Sequence, residues 1–500
     1  MTDRRLVAGV VIAACVHLYM FSLFQLSSSA GGVTQQYYPG DTPVAVLSPP
    51  GDIRGTVVIA HGFAANAGMM KPMGYYLAQQ GYRVVLFDFP GYGNSRLKVN
   101  ETSMYDTLEL VTARYAGEGY SLAGHSLGSY AALDYGMHGH GDAVIGLSSF
   151  YSDVERTRPR NMLLIAGTSD LATVVPSLPA AVANGTGVAA PQEGVKYGNF
   201  SDGTARMYEY VDANHITILF NNEAWQDTLR WLDSTYGYAR APHPSLQGLS
   251  LPWAFIAIGT VLVAFVPGLF LLSRLVTSPG RPPGPAASRP LLKALLIAFA
   301  GSLAAAVAVT VFNPARYTGL MMADLLVGFL LYAGIFTMVI DYLAYRPATP
   351  GYTPGHLARS LAVALIAGLL LVAAIAIPVD MAFYEQPVTI GRLSLMAAVA
   401  LLTLPFFVAG DLLARGNDTA RSLAVGAGIR IIALGVAALA FVISGNTFFV
   451  FVIMPVVLPL FLGLEIVSHY AHRWTGSVFA GAFLNALITG WLLASAFPVA

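Results

Sequence analysis

The sequence predicts two fold classes in one chain: a mainly parallel α/β sheet domain with helices on both faces, fused to an all-α polytopic membrane domain. Charge distribution is the first observation behind this. The 500 residues hold 27 Lys+Arg and 27 Asp+Glu, only 11% of the chain, and 35 of these charges precede residue 250 while 19 follow it. An ordinary soluble protein carries about a quarter charged residues, and mean hydropathy here is +0.61. The second is local pattern. Between Gly31 and Arg240 short β-branched runs alternate with helical stretches, whereas from Leu251 onward the chain reads as successive apolar stretches. The first pattern is that of βαβ units, and the second approaches the ~20 residues that cross a bilayer. Zero net charge without long basic runs argues against nucleic acid as a partner, because a phosphate backbone is held by clustered Lys and Arg. The single cysteine, Cys15, excludes an intrachain disulfide and a Cys-rich metal site.

Taken in order, residues 1–29 are read as an N-terminal transmembrane helix, with Leu6 to Leu26 apolar behind Arg4 and Arg5. Ile12-Ala13-Ala14-Cys15 resembles a lipoprotein signal and Ser28-Ser29-Ala30 a cleavage site. The residues after Cys15 nevertheless stay largely apolar, where a lipid-anchored protein would begin a polar tether, so the reading is an uncleaved span.

Residues 30–247 form the sheet domain. Its strands are expected at Thr56–Ala60, Arg83–Phe87, Tyr120–Ala123, Ala143–Leu147, Met162–Ala166 and Met207–Val211, with helices at about 68–80, 102–115, 127–137 and 221–235. The Gly-rich stretch from Asn184 to Asp202 reads as a mobile loop.

Residues 248–500 form a membrane domain of eight spans, at roughly 251–273, 291–312, 319–343, 360–379, 393–413, 422–443, 447–467 and 477–498, with a flexible Pro/Gly-rich linker over 274–290. With the N-terminus inside, cytoplasmic segments collect Arg4, Arg5, Arg274, Arg281, Arg289, Lys293, Arg346, Arg359, Arg415, Arg421 and Arg473, against Arg316 and Arg392 in the outer short loops. The positive-inside bias then puts residues 30–247 outside the cytoplasm and makes membrane lipids partners. Within the spans, Arg430 is costly at ~3 kcal/mol if unpaired. Asp341, Asp411 or Glu465 could pair with it, or its side chain could snorkel to the interface. Asp324 and Asp380 could line a cavity toward the outer side, and His17 reads as a packing residue.

The strongest chemical signal is Gly124-His125-Ser126-Leu127-Gly128, which follows an apolar strand and opens a helix. Such a turn holds the serine in a strained conformation, and a side chain at either glycine would collide with the adjacent strand or helix. The helix N-terminus is aimed at the reaction centre. A serine hydroxyl needs a base and a group that orients the base. Asp170, just after the strand Met162–Ala166, is the expected acid, with Asp153 as rival. His215, just after Met207–Val211, is the expected base, ahead of His138 and His140, which lie on or after the helix that follows Ser126. His125 reads as a packing residue without a role. The oxyanion of a tetrahedral intermediate would be held by two backbone N–H groups, of Leu127 and of Phe63, the latter in the loop after Thr56–Ala60, each worth on the order of 3 kcal/mol.

Residues 55–236 resemble the α/β-hydrolase superfamily through His61-Gly62-Phe63, the Asp88-Phe89-Pro90-Gly91-Tyr92-Gly93-Asn94-Ser95 turn, the Gly124–Gly128 elbow, the Gly167–Asp170 turn and the His215 turn. The Asp88 turn is similar to that of lipase-like and serine-aminopeptidase-like members. The resemblance implies acyl transfer through a covalent acyl-serine, with no metal and no organic cofactor. Only about a dozen residues separate Ser149 from Asn161, where many relatives insert a helical lid. The expected function is a membrane-embedded serine hydrolase cleaving carboxylic esters of lipid-like or acyl substrates. Alternatives are an acyltransferase or peptidase with the same triad, and a transporter or lipid-translocating membrane domain with an external hydrolase-like domain.

Overall fold

The computed structural model describes residues 2–239, 243–276, 289–346, 351–387, 389–416, 418–445 and 447–500. Residues 277–288, the bulk of the expected linker, lie outside the described residues. The chain forms two compact units. One contains Met20–Ala257, Ala376–Pro387 and Pro498–Ala500, and the other contains Met1–Tyr19, Ile258–Ile375 and Val388–Phe497. Beyond residue 247, the sheet unit therefore also includes residues 248–257, 376–387 and 498–500.

Along the chain, α1 (Thr2–Ser29) leads to β1 (Thr34–Tyr38), β2 (Val44–Ser48), β3 (Gly55–Ala60), α2 (Lys71–Gln79), β4 (Tyr82–Phe87), α3 (Met104–Val111), β5 (Tyr120–His125), α4 (Leu127–Met137), β6 (Val144–Leu147), β7 (Met162–Ser169), α5 (Ser177–Thr186), β8 (Arg206–Asn214) and α6 (Asn222–Tyr236). The eight strands form one sheet in the order β1-β2-β4-β3-β5-β6-β7-β8. Pairing is antiparallel through β1, β2 and β4 and parallel from β4 to β8. The central strands are apolar without alternation because both faces are covered. In β3, Val57 and Ile59 enter the core on one face while Val58 and Ala60 enter the core on the other, as the two-residue period of a strand requires.

All six expected strands are present. The sheet also contains two strands outside the expected set, β1, whose Thr34-Gln35-Gln36-Tyr37-Tyr38 is polar and mostly exposed at the sheet edge, and β2, which is buried beside it. The first turn of the expected 68–80 helix is a 3-10 turn, Ala67–Met70, and the last of 102–115 is a single π turn, Thr112–Ala116. α5 occupies the start of the expected loop, with buried Leu178, Ala181, Val182 and Gly185 at helical spacing. The remainder folds back on β8 through a bridge between Tyr197 and Arg206.

The remaining helices are α7 (Ser250–Val276), α8 (Leu291–Val311), α9 (Ala323–Tyr345), α10 (Pro354–Ala382), α11 (Ile390–Ala414), α12 (Thr419–Ile443), α13 (Thr447–Thr475) and α14 (Val478–Ala496). Among the described residues, nine helices, α1 included, are long and apolar enough to cross a membrane. α9 starts later than the expected residue 319 because Pro314–Thr318 makes a 3-10 turn and Met322 has φ +63°.

In the helical unit Arg430 pairs with Glu465, whose other oxygen is 2.6 Å from Arg415. Arg415 also lies 2.7 Å from Asp411, and Asp411 accepts from Ser468 Oγ. Asp341 pairs instead with Arg289, at 2.9 Å. Arg430 is 1% exposed, so its charge is paired inside the unit and does not snorkel. Asp324 accepts from Asn313 Nδ2 at 3.0 Å. His17 Nδ1 bonds back to the Ala13 carbonyl within α1. Asp380, in the sheet unit, lines a cleft of about 260 Å3 with Lys71, Tyr75 and Gln35.

Candidate active site

Ser126 sits between β5 and α4 with φ +53° and ψ −117°, a conformation that costs an L-residue about 1–3 kcal/mol and persists only where its surroundings impose it. The flanking glycines supply the constraint. A Cβ on Gly124 would lie 2.2 Å from the Gly128 carbonyl oxygen, and one on Gly128 would lie 2.3 Å from the Ala60 oxygen of β3. Neither contact is tolerable, so strand, turn and helix can approach this closely only with hydrogen at both positions.

The expected triad side chains are brought together. Ser126 Oγ is 3.0 Å from His215 Nε2, and His215 Nδ1 is 2.7 Å from Asp170 Oδ1. A carboxylate only accepts, so Nδ1 carries the hydrogen and the Nε2 lone pair faces the serine hydroxyl. Ser126 and His215 are each 7% exposed, which gives these hydrogen bonds a low-dielectric setting. Burial pushes the Asp170 carboxyl up, but bonds from His215, Ser148 and the Leu171 N–H outweigh it and hold the group below its ordinary value. Asp170 Oδ2 accepts from Ser148 Oγ at 2.5 Å and Oδ1 accepts from Leu171 N–H at 2.7 Å.

Of the other histidines weighed, His138 bonds back to the Asp134 carbonyl and His140 contacts the Tyr105 hydroxyl, so neither reaches Ser126. His125, read as mere packing, has a definite task. Its Nε2 donates to the His215 backbone carbonyl at 2.7 Å, fixing the loop that carries His215. No local sequence signal distinguishes this from packing. Ser148, at φ +51°, was also missed as the second partner of Asp170.

Phe63 follows β3, and Leu127 opens α4, where a helix leaves its first N–H groups without internal acceptors. The Phe63 loop is framed by two side chains the sequence flagged only as landmarks. Phe89 N–H donates to His61 Nε2 at 3.0 Å, so His61 carries its hydrogen on Nδ1 and donates to the Gly62 carbonyl at 2.9 Å. Burial pushes His61 down to about 4, keeping it neutral as these two bonds require. Asp88 accepts from Ala67 N–H and from Asn94 N–H, both at 2.8 Å, tying the end of the Phe63 loop to its own turn. Among the described residues no group of three or more His, Cys, Asp or Glu is placed to hold a metal ion.

The sequence profile of the family described as serine aminopeptidase, S33, matches residues 51–212, a span that takes in β3, the elbow and Asp170. Residues 51–212 are an α/β hydrolase. Among solved structures, the chain is similar to a bacterial membrane phospholipase A (14% identity, 46% of this chain and 95% of that one, TM-score 0.33). It is similar also to the monoacylglycerol lipase of Paleococcus ferrophilus (17%, 40% and 99%, 0.30) and to a thermophilic esterase of Thermogutta terrifontis (13%, 40% and 99%, 0.31). Likeness at this level carries no information about the substrate of this hydrolase. No curated protein matches the chain in sequence.

Proposed function

We propose that the chain is a membrane-embedded serine hydrolase that cleaves carboxylic esters of lipid-like or acyl substrates through an acyl-serine intermediate. The observation that carries the reading is the unbroken hydrogen-bond chain from Ser126 Oγ through His215 to Asp170. In this reading His215 Nε2 takes the hydroxyl proton as Ser126 Oγ attacks the ester carbonyl, and Asp170 stabilises the resulting imidazolium. The N–H groups of Phe63 and Leu127 hold the tetrahedral oxyanion. His215 then returns the proton to the leaving alcohol, and a water activated by the same base releases the acid and free Ser126.

Two features support apolar acyl substrates. The side chains beside both expected oxyanion donors, Phe63 and Leu127, are hydrophobic and pack on one apolar core face with Tyr92. The nine apolar helices among the described residues, one before the sheet and eight after it, would tether the hydrolase to a bilayer, with the sheet on the extracytoplasmic side by the distribution of Lys and Arg. Wild-type protein is expected to hydrolyse p-nitrophenyl esters and Ser126→Ala to lose that activity. Equal rates would refute the reading. The S33 description favours one second reading, an aminopeptidase using the same triad. Release of p-nitroaniline from aminoacyl anilides faster than alcohol from esters would establish it.

A further inference from the structure

The Phe63 loop is held in place by chain that follows the sheet domain by more than a hundred residues. Asn66 Nδ2 donates to the Glu385 carbonyl at 2.7 Å, and Glu385 N–H donates back to Asn66 Oδ1 at 3.3 Å. The amide side chain thus imitates a backbone partner in a strand. The same Oδ1 caps the 3-10 turn at Gly68 N–H, 3.0 Å away. Lys71 Nζ lies 3.2 Å from the Glu385 carboxylate and donates to the Asp380 carbonyl at 2.9 Å. Gln386 N–H closes the segment by donating to Asp380 Oδ1 at 3.0 Å. Packing is as close as the hydrogen bonding, since a Cβ on Gly68 would lie 2.1 Å from Glu385 N. The ring of Phe383 meets Phe220 at 6.0 Å, in the turn just after His215.

A second segment meets the opposite flank. Val499 N–H donates to the Gly91 carbonyl at 2.9 Å and Val99 N–H donates to the Val499 carbonyl at 3.1 Å. Tyr92, next to Gly91, sets its ring 4.9 Å from His61 and 6.3 Å from Phe63.

We propose that Asp380–Gln386 and Val499 are positioning straps for the oxyanion loop, fixing the Phe63 N–H where the tetrahedral oxygen develops. Hydrolysis then depends on segments continuous in sequence with α10, α11 and α14. The loop needs such support. It contains Ala64 at φ +54°, which an unsupported loop would relax, and without Glu385 the Lys71 ammonium, 5% exposed, would be left unpaired in a buried position, a costly arrangement. An oxyanion hole works through preorganisation, and a displacement of about 1 Å can cost about a hundredfold in rate.

The proposal rests on the serine-hydrolase reading above. Its test uses the full-length chain with Gly68→Ala, which pushes the segment off by volume alone, and Asn66→Asp, which keeps the Oδ1 acceptor but cannot donate to the Glu385 carbonyl. Hydrolysis of p-nitrophenyl butyrate is measured per active site titrated with a fluorophosphonate, beside inhibition by an alkyl boronic acid whose tetrahedral adduct places an oxygen in the hole. Both variants should lose on the order of ten- to a hundredfold in kcat per titrated site, with KM changed less than roughly threefold and boronate inhibition weakened in parallel with kcat/KM. An active wild type with per-site kcat and boronate inhibition unchanged in both variants overturns the straps alone. A wild type no more active than Ser126→Ala overturns the underlying reading and the straps with it. Mere loss of folded protein would lower the titrated sites and leave the per-site values intact, which also counts against positioning.

Discussion

His125 Nε2 donates to the backbone carbonyl of His215 across 2.7 Å, so the residue before Ser126 holds the backbone of the histidine that faces Ser126. The Ser126 turn and the His215 loop are therefore fixed to one another twice, once through side chains and once through a carbonyl. Leaving that carbonyl unpaired costs about 1–3 kcal/mol. His125→Ala is expected to lower the unfolding midpoint and to reduce kcat about tenfold or more with KM little changed. A variant with wild-type kcat would assign His125 to packing alone.

Acid stability follows from the same residue together with His61. Burial, reinforced by the nearby His215, pushes His125 down to about 3, and burial pushes His61 down to about 4, from an ordinary 6.5. Between about pH 6.5 and 4 the unfolded chain binds these protons and the folded one does not, so stability falls as pH falls, by up to about 1.4 kcal/mol per pH unit for each histidine. Above that window both states are neutral and the effect vanishes. Unfolding measured against pH should show proton uptake approaching two across the window, and His125→Asn should remove about one of them.

Asp170 contributes at lower pH. Its folded value lies below the ordinary 3.8, so its stabilisation is complete above that value and is lost as pH falls through the folded one. Asp170→Asn would offer Nδ1 a donor and select the wrong tautomer. The expected loss is about 10^4 in kcat with KM nearly unchanged. Ser148→Ala removes one bond to the carboxylate, and a loss of about tenfold is expected. Steady-state rates for the two variants check both values.

In the helical unit, Arg430→Leu leaves Asp411 and Glu465 sharing Arg415. Breaking a buried ion pair costs about 3–5 kcal/mol, so the unfolding midpoint in detergent should fall. Adding Glu465→Gln should restore part of it, with a coupling of at least about 1 kcal/mol. Strict additivity of the two substitutions would show that the pair makes no net contribution.

What the sequence reveals is local sterics and strand-end chemistry. Ser126 was legible because Gly124 and Gly128 are demanded by contacts of 2.2–2.3 Å, and Asp170 and His215 because they follow β7 and end the run begun by β8. β1 was not, because an exposed edge strand needs no apolar alternation. The choice of Glu465 over Asp341 and Asp411 for Arg430 depends on which helices pack together, and charge spacing does not encode that. The bond between Asn66 and Glu385 joins residues 319 positions apart, with no pattern around either to announce it.

The central claim is that Ser126 is the nucleophile. Fluorophosphonate labelling of the full-length protein, mapped by peptide mass spectrometry, tests it most directly. The account expects one adduct per chain on the peptide bearing Ser126, none in Ser126→Ala and strongly slowed labelling in His215→Ala. Equal labelling of wild type and Ser126→Ala, or no labelling of wild type, would contradict it.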